Sequence, residues 1–408
     1  MKKKVTGDMW LAYDFVSDAV VQLSDLVAIN DCGVDELDKM IELLKMFKEY
    51  LKLDDGDSVL WIGQSKMTMR RVVSSGTVRP SAVVKRDDEY IAIASDENIG
   101  DIDDRGKNIS IVRPIEGGKI VDKEAARYLV SKMLENDDDD DEPSISKLLI
   151  IVPAAFATEE FELLRQIAYE AGAKEVRFLY RPLAEAICFG FNIYEPKAKM
   201  IVHVGGGITE ISVITLGGIV VNKTISVAGD AFTEDIRAYI REKFDVLIDK
   251  EEATEIKKEV SRFAKYSRGR KRSEKREFDC FDRGKNVRET LAVSYKDLLK
   301  AMDKSIKCIK SAVIEVLAKI PPELVCDISN GIIILTGGSS GVQGVKEEIQ
   351  KRLRAEFLKC DLINNHGEKV KKANWDDLKD FSIVEANDYY DDFYYLMHFD
   401  RFDAFLIK

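Results

Sequence analysis

Short apolar runs that stop at glycine recur along this chain, and each predicts a buried strand entering a tight turn. The first is Ser58-Val-Leu-Trp-Ile, which leads into Gly63-Gln-Ser-Lys. Residues 67–73 predict a return strand, and 82–84 and 90–94 are expected to continue the same sheet. A helix is expected over 123–134. The run 148–152 reads as another buried strand, bounded by Pro153. Beyond it, Phe161, Leu164, Ile167 and Ala168 fall on one helical face, with Gly172 as the stop. Residues 182–189 suggest a further helix.

The pattern then repeats. Met200-Ile-Val-His-Val is a strand, Gly205-Gly-Gly a turn, and 210–216 the returning strand. Gly217-Gly218 makes the next turn, and 219–227 predicts a third strand. Helices are expected over 232–244, 251–264 and 295–318. Gly331-Ile-Ile-Ile-Leu is a second buried strand ending in Thr336-Gly-Gly-Ser-Ser, before a helix near 344–355. Two copies of one plan imply an internal duplication: two α/β domains facing each other across a cleft, where ligands commonly sit.

The ends of the chain differ from this plan. Residues 34–53 carry Leu37, Ile41, Leu44, Phe47 and Leu51 at helical spacing. The mixed Lys and Glu of the polar face point to packing on the body rather than to a membrane-surface helix. An acidic run at 137–142 reads as a solvated loop.

Composition narrows the function. The 408 residues are 45% hydrophobic, enough for two or more domains. Lys and Arg total 62 against 73 Asp and Glu, a net charge of −11, so no nucleic-acid partner is expected. Six scattered cysteines form no CxxC pair and only three histidines occur, which argues against structural zinc and for reduced thiols. Asp8, Asp14 and Asp18 interrupt any signal-peptide core. No run approaches the roughly 18 apolar residues of a membrane span, so a cytoplasmic location is expected.

Glycines between strands let backbone N–H groups approach a phosphate, because no Cβ intervenes. Gly205-Gly206-Gly207 and Gly337-Gly338 occupy such places in the second half, and Gly63 in the first. Neither a GxxxxGK[ST] loop nor a helix-opening GxGxxG is present.

In order along the chain stand Gly63-Gln-Ser-Lys, Glu160, Val202-His-Val-Gly-Gly-Gly-Ile-Thr-Glu210, Ala228-Gly-Asp-Ala-Phe232, Glu255-Ile-Lys-Lys-Glu259 and Leu335-Thr-Gly-Gly338. This series resembles the actin, sugar-kinase and heat-shock-70 ATPase superfamily. Pro321-Pro-Glu-Leu-Val-Cys-Asp-Ile-Ser and Arg113-Pro-Ile-Glu-Gly-Gly-Lys-Ile are similar to segments of its bacterial MreB (rod shape-determining) family. The resemblance runs from about residue 58 to about 353. It implies an actin-like ATPase fold with two duplicated α/β domains around a nucleotide cleft. On that reading 1–55 is an N-terminal extension and 56–198 and 199–355 are the two domains. Residues 356–408 are a divergent acidic and aromatic segment expected to pack on the first.

The resemblance also implies ATP with Mg²⁺ and assembly into filaments. By motif position, Gln64, Ser65 and Lys66 form the first phosphate turn, and Gly205, Gly206, Gly207 and Ile208 the second. Thr254, Glu255, Ile256 and Lys257 stand where the family contacts the nucleoside. Gly338, Ser339, Ser340 and Gly341 stand where it closes over adenosine, and Glu160 matches the carboxylate that positions the attacking water. Three positions depart from the pattern. Trp61 and His203 stand where the family has aspartates that organise Mg²⁺, and Ile208 replaces a threonine. Indole cannot ligate Mg²⁺ and imidazole suits it poorly, which puts the metal in doubt and makes hydrolysis weak or lost.

The expected function is therefore an MreB-like protein that forms or joins cytoplasmic filaments supporting cell shape or internal organisation. The alternatives are a non-polymerising pseudo-ATPase scaffold or regulator of another MreB filament, and, behind it, a sugar-kinase-like phosphotransferase. Membrane contact gains little support, because the segment 99–106 is acidic where the family's is apolar. The basic loop 268–276 suits either solvent or an anionic partner, and the tail from Tyr389 either packing or a partner.

Overall fold

The computed structural model describes residues 57–385 except 72–76, 95–108, 136–144, 189–190, 192, 194, 267–274, 330–331, 343–344, 358–360, 364–368 and 373–381. The chain divides into two units, Met1–Asp54 and Asp55–Lys408. The helix expected over 34–53, the acidic segments at 99–106 and 137–142, most of the basic loop and the aromatic tail lie outside the described residues.

In the first half, β1 (Asp57–Trp61), β2 (Lys66–Arg71) and β3 (Thr77–Pro80) form an antiparallel meander. A separate three-stranded sheet follows, from β4 (Val83–Arg86), β5 (Glu89–Ile93) and β6 (Ile109–Val112). This corrects the expectation that 82–94 continues the first sheet. The strands pair with one another, and Val84 and Ala94 bury in a small core of their own. The hairpin β7 (Ile115–Glu116) and β8 (Lys119–Ile120) leads to α1 (Lys123–Leu134). Asp122 caps α1 by accepting the Ala125 N–H at 2.9 Å. Then come β9 (Lys147–Val152), α2 (Thr158–Glu170) and β10 (Glu175–Tyr180). The buried face of α2 is Phe161, Leu164, Ile167 and Ala168, the stripe its periodicity predicts. Gly172 ends it at φ +94°, a conformation glycine adopts without strain.

The short helix α3 (Arg181–Cys188) crosses to the second half and packs against strands of both large sheets. There β11 (Lys199–Val204), β12 (Thr209–Thr215) and β13 (Gly218–Ile225) form another meander. The helices α4 (Gly229–Phe244) and α5 (Lys250–Tyr266) follow. The hairpin β14 (Lys275–Asp282) and β15 (Val287–Ser294) was not expected from sequence. Its strands are charged on the exposed face, and Cys280, Leu291 and Val293 are buried in the core with Phe278 packed against it. The helix expected over 295–318 is two helices, α6 (Tyr295–Ala301) and α7 (Asp303–Leu317), meeting at the buried Met302. The described chain continues with α8 (Pro322–Ser329), β16 (Ile332–Thr336), α9 (Val345–Phe357), β17 (Asp361–Ile363), β18 (Lys369–Lys372) and β19 (Ser382–Glu385).

The two large sheets share one topology. The first is ordered β3-β2-β1-β9-β10 and the second β13-β12-β11-β16-β19. In each, the first three strands are antiparallel and the last two add in parallel. Ser382–Glu385, expected with the first half, thus extends the second sheet. Each half has its own core, with Leu60, Ile150 and Phe178 in one and Val202, Phe232 and Leu335 in the other. Such fully buried side chains stabilise the fold by roughly 1.5–3 kcal/mol each. Met200, Val202 and Val204 of β11 face that second core. By strand alternation, His203 therefore points to the opposite face, where α3 lies.

Candidate nucleotide site

The turn between β1 and β2 is held by Ser81, whose hydroxyl donates to the Gly63 carbonyl at 2.6 Å and whose N–H donates to the Ser65 carbonyl at 3.0 Å. Gly63 is sterically required, because a Cβ there would collide with the Lys66 carbonyl. In the turn between β11 and β12, the Gly205 N–H donates to the Ile208 carbonyl at 2.9 Å. The Gly205 and Gly206 carbonyls accept from the N–H groups of Gly229 (3.1 Å) and Asp230 (2.6 Å) at the start of α4. These are first-turn donors that a helix cannot satisfy internally.

The turns face each other. A Cβ on Gly206 would overlap the Ser65 side chain, and one on Gly207 would overlap Gln64. Glycine at these positions lets the two halves close onto one another. Lys66 is exposed beside this contact, and Ile208 is buried.

The third turn follows β16. Gly337 has φ +86°, and a Cβ there would stand 2.5 Å from the Val204 carbonyl oxygen. The Ser339 N–H donates to that same oxygen at 3.0 Å, and Ser339 and Ser340 are buried. Gly338 and Gly341 are exposed, and an added Cβ at either meets nothing within 4 Å. On α5, Thr254 lies 3.3 Å from the Thr233 hydroxyl of α4. Lys257 donates to the Gly229 carbonyl and the Thr233 hydroxyl, both at 2.8 Å. Burial pulls the Lys257 ammonium down to about 8, opposed by the nearby Asp230 carboxylate. Ile256 is buried in the core, and Glu255 pairs with Lys258 at 2.6 Å on the surface.

Between the first two turns lies a buried charge cluster that sequence reading did not single out. Arg181 and Glu185, one turn apart on α3, are both buried, as is Glu210 on β12. Arg181 donates to the Ile62 carbonyl at 2.6 Å and lies 3.4 Å from Glu210. Glu210 also accepts the Ala154 N–H at 2.7 Å. Burial pushes the Glu210 carboxyl up, opposed first by Arg181, then by His203 and the Ala154 N–H. His203, directly opposite Glu210 in the β11–β12 ladder, places Nδ1 2.6 Å from Glu185 and 3.1 Å from the Thr336 hydroxyl. The available signal was Arg181 and Glu185 four residues apart in the otherwise apolar segment Arg-Pro-Leu-Ala-Glu-Ala.

The hydrogen bonds of Glu160 serve structure. It accepts the Ala157 N–H at the start of its own helix, and the Ile120 N–H at 3.4 Å. This is the reciprocal half of a capping box.

The glycine turns carry the bare backbone that holding a phosphate chain asks for, and in this structure the Ser65 and Gln64 side chains pack against Gly206 and Gly207. The donor set beside them does not fit Mg²⁺, which asks for hard oxygens. Trp61 and His203 stand at the strand ends. Among the described residues no group of three or more His, Cys, Asp or Glu is placed to hold a metal ion.

Two sheets of one topology joined by a buried helix, with paired glycine turns across their junction, define the actin-like ATPase fold. The crystal structure of MreB5 of Spiroplasma citri bound to AMPPNP matches with a TM-score of 0.66 at 22% identity, covering 86% of this chain and 97% of that one. The MamK double helical filament matches at 0.59 and 17% identity, covering 81% and 94%. The family model of the MreB/Mbl proteins matches residues 75–361, and the chain belongs to that family. It is 30% identical over 251 residues to the cell shape-determining protein Mbl of Bacillus subtilis, which is 62% of this chain and 74% of that protein. Against the cell shape-determining protein MreB of Pasteurella multocida it is 28% identical over 332 residues, 78% of this chain and 92% of that one. The matched family span begins beyond the first turn and includes the second.

Proposed function

We propose that this chain is an MreB-like actin homologue that takes ATP or ADP between its glycine turns. It forms or joins cytoplasmic filaments that support cell shape or internal organisation. The observation that carries this reading is the apposition of Gly206 and Gly207 in one half to Ser65 and Gln64 in the other. Gly338 and Gly341 leave open surface for the nucleoside. The AMPPNP and ADP of the Spiroplasma citri structures, and the filament of MamK, support nucleotide binding and self-association by likeness of fold. Hydrolysis is weak or absent, because the metal-organising carboxylates are missing and Glu160 is engaged in capping.

A phosphate-release assay and electron microscopy on the purified chain test this. The expected result is filaments with ATP and little Mg²⁺-dependent turnover. Robust turnover abolished by Glu160→Ala would overturn the weak-hydrolysis reading. A second reading is a non-polymerising scaffold or regulator of another MreB filament, suggested by the additional residues 1–55 and the aromatic tail from Tyr389. It predicts a monomer that co-pellets with an intact MreB. Among the described residues no helix is long and apolar enough to cross a membrane. Contact with a membrane surface is tested by co-sedimentation with anionic vesicles.

A further inference from the structure

The buried cluster between the turns holds its histidine in one orientation, and that orientation has a chemical consequence. The Glu185 carboxylate accepts from His203 Nδ1, so this nitrogen carries the hydrogen. The other nitrogen, Nε2, is then presented to the second glycine turn. It lies 3.0 Å from the place a Cβ of Gly205 would occupy. Glycine at 205 is therefore what leaves Nε2 its opening toward the turn.

The charges around the ring come from every side. From α3 there are Arg181 and Glu185, and from β12 there is Glu210. The neighbouring strand β16 offers only the Thr336 hydroxyl. The first turn offers the Ile62 carbonyl, already taken by Arg181. Asp230, whose N–H holds the Gly206 carbonyl, has its carboxylate paired with Lys250 at 3.0 Å. Glu185 has a second oxygen, Oε2, that is buried without a hydrogen-bond partner among the described residues. Arg181 is engaged by Ile62 and Glu210, so a cation at the ring would be the counter-charge of Glu185. A proton on Nε2 supplies it and turns that nitrogen into a donor aimed at the turn.

We propose that His203, positioned by Glu185, is the group of the nucleotide site that turns cationic when a nucleotide binds. On this proposal the chain binds a nucleoside di- or triphosphate without a divalent metal, taking up a proton on Nε2 instead. It rests on the reading that a nucleotide occupies the glycine turns. The absence of a fitting Mg²⁺ donor set then has a purpose. One imidazolium hydrogen bond replaces charge compensation that a metal and its waters would otherwise provide. Binding is accordingly weaker than a metal-loaded site and insensitive to chelators.

Calorimetric titration of the full chain with ATP and ADP tests this, in EDTA and in Mg²⁺, and in two buffers of different ionisation enthalpy. The expected affinities in EDTA and Mg²⁺ agree within about threefold, with net proton uptake on binding. His203→Gln should weaken binding in EDTA by about tenfold or more and abolish the uptake, as befits a lost charge-assisted hydrogen bond. Glu185→Gln should reduce the uptake and shift the ¹⁵N resonances of His203 to a different tautomer, which a merely structural role would not do. The double variant Glu185→Gln, His203→Asp should bind only when Mg²⁺ is present. Wild-type binding that requires Mg²⁺ overturns the proposal and leaves the nucleotide reading standing. Binding in neither condition overturns both. Undiminished metal-free binding by His203→Gln also overturns it. Should that variant not fold, the chelator and proton-uptake results on the wild type decide alone.

Discussion

The guanidinium of Arg181 reaches the carbonyl oxygen of Ile62, 119 residues earlier in the chain, at 2.6 Å. The same side chain lies 3.4 Å from Glu210, so α3 fastens the first turn of one half to the strand after the second turn of the other. Both side chains are buried. Removing one partner of such a pair leaves an uncompensated buried charge, which costs about 3–5 kcal/mol. Arg181→Ala should therefore lower the unfolding free energy obtained from urea titration by an amount in that range. Arg181→Met with Glu210→Gln should recover part of it. A loss in the double variant equal to the sum of the Arg181→Met and Glu210→Gln losses would show that the two groups do not interact.

The glycines of the third turn separate structure from binding. Gly337→Ala adds a side chain at φ +86°, against the Val204 carbonyl, and should destabilise by about 1–3 kcal/mol. Gly338→Ala and Gly341→Ala meet open space and should stay within about 0.5 kcal/mol of wild type in denaturant melts. If the nucleoside sits there, both should still weaken ATP binding. Unchanged affinity in both would move the ligand elsewhere.

Lys257 makes stability depend on pH in a defined window. Its ammonium titrates near 8 in the folded chain against the ordinary 10.5, because burial disfavours the charge. Below about 8 it is charged in both states, and the folded state bears the cost. Between about 8 and 10.5 the unfolded chain binds more protons, so this group makes stability rise with pH. Urea midpoints measured from pH 7 to 10 should contain this rise, and Lys257→Met should flatten it. An identical profile in the variant would contradict the assignment.

Glu160→Ala removes the carboxylate that accepts the Ala157 N–H at the start of α2. The expected loss is about 1 kcal/mol of stability, the usual size of a capping contribution. Phosphate release should change little. A large fall in turnover with unchanged stability would instead make Glu160 the general base.

Several of these features were legible in the sequence for local reasons. The α2 stripe of Phe161, Leu164, Ile167 and Ala168 follows from helical period alone. Gly63, Gly205 and Gly337 announce turns because side chains there would strike backbone carbonyls or a neighbouring ring. The repeated order of apolar strand, glycine turn and hairpin was enough to imply a duplication, and the two sheets share that order. The β14–β15 hairpin was hidden because few of its residues reach the core, which leaves little alternation to read.

The partners of those turns were decided only in three dimensions. His203 could be read as a departure from a motif, but not as a ring held by Glu185, because the two residues lie on different elements, α3 and β11, that tertiary packing brings together. Ser382–Glu385 joins the second sheet through backbone pairing with β16, which no side-chain pattern specifies. Periodicity and glycine act within a few residues and are written along the chain. The contacts among Arg181, Glu185, His203 and Glu210 depend on the close approach of separate elements, and packing alone sets that distance.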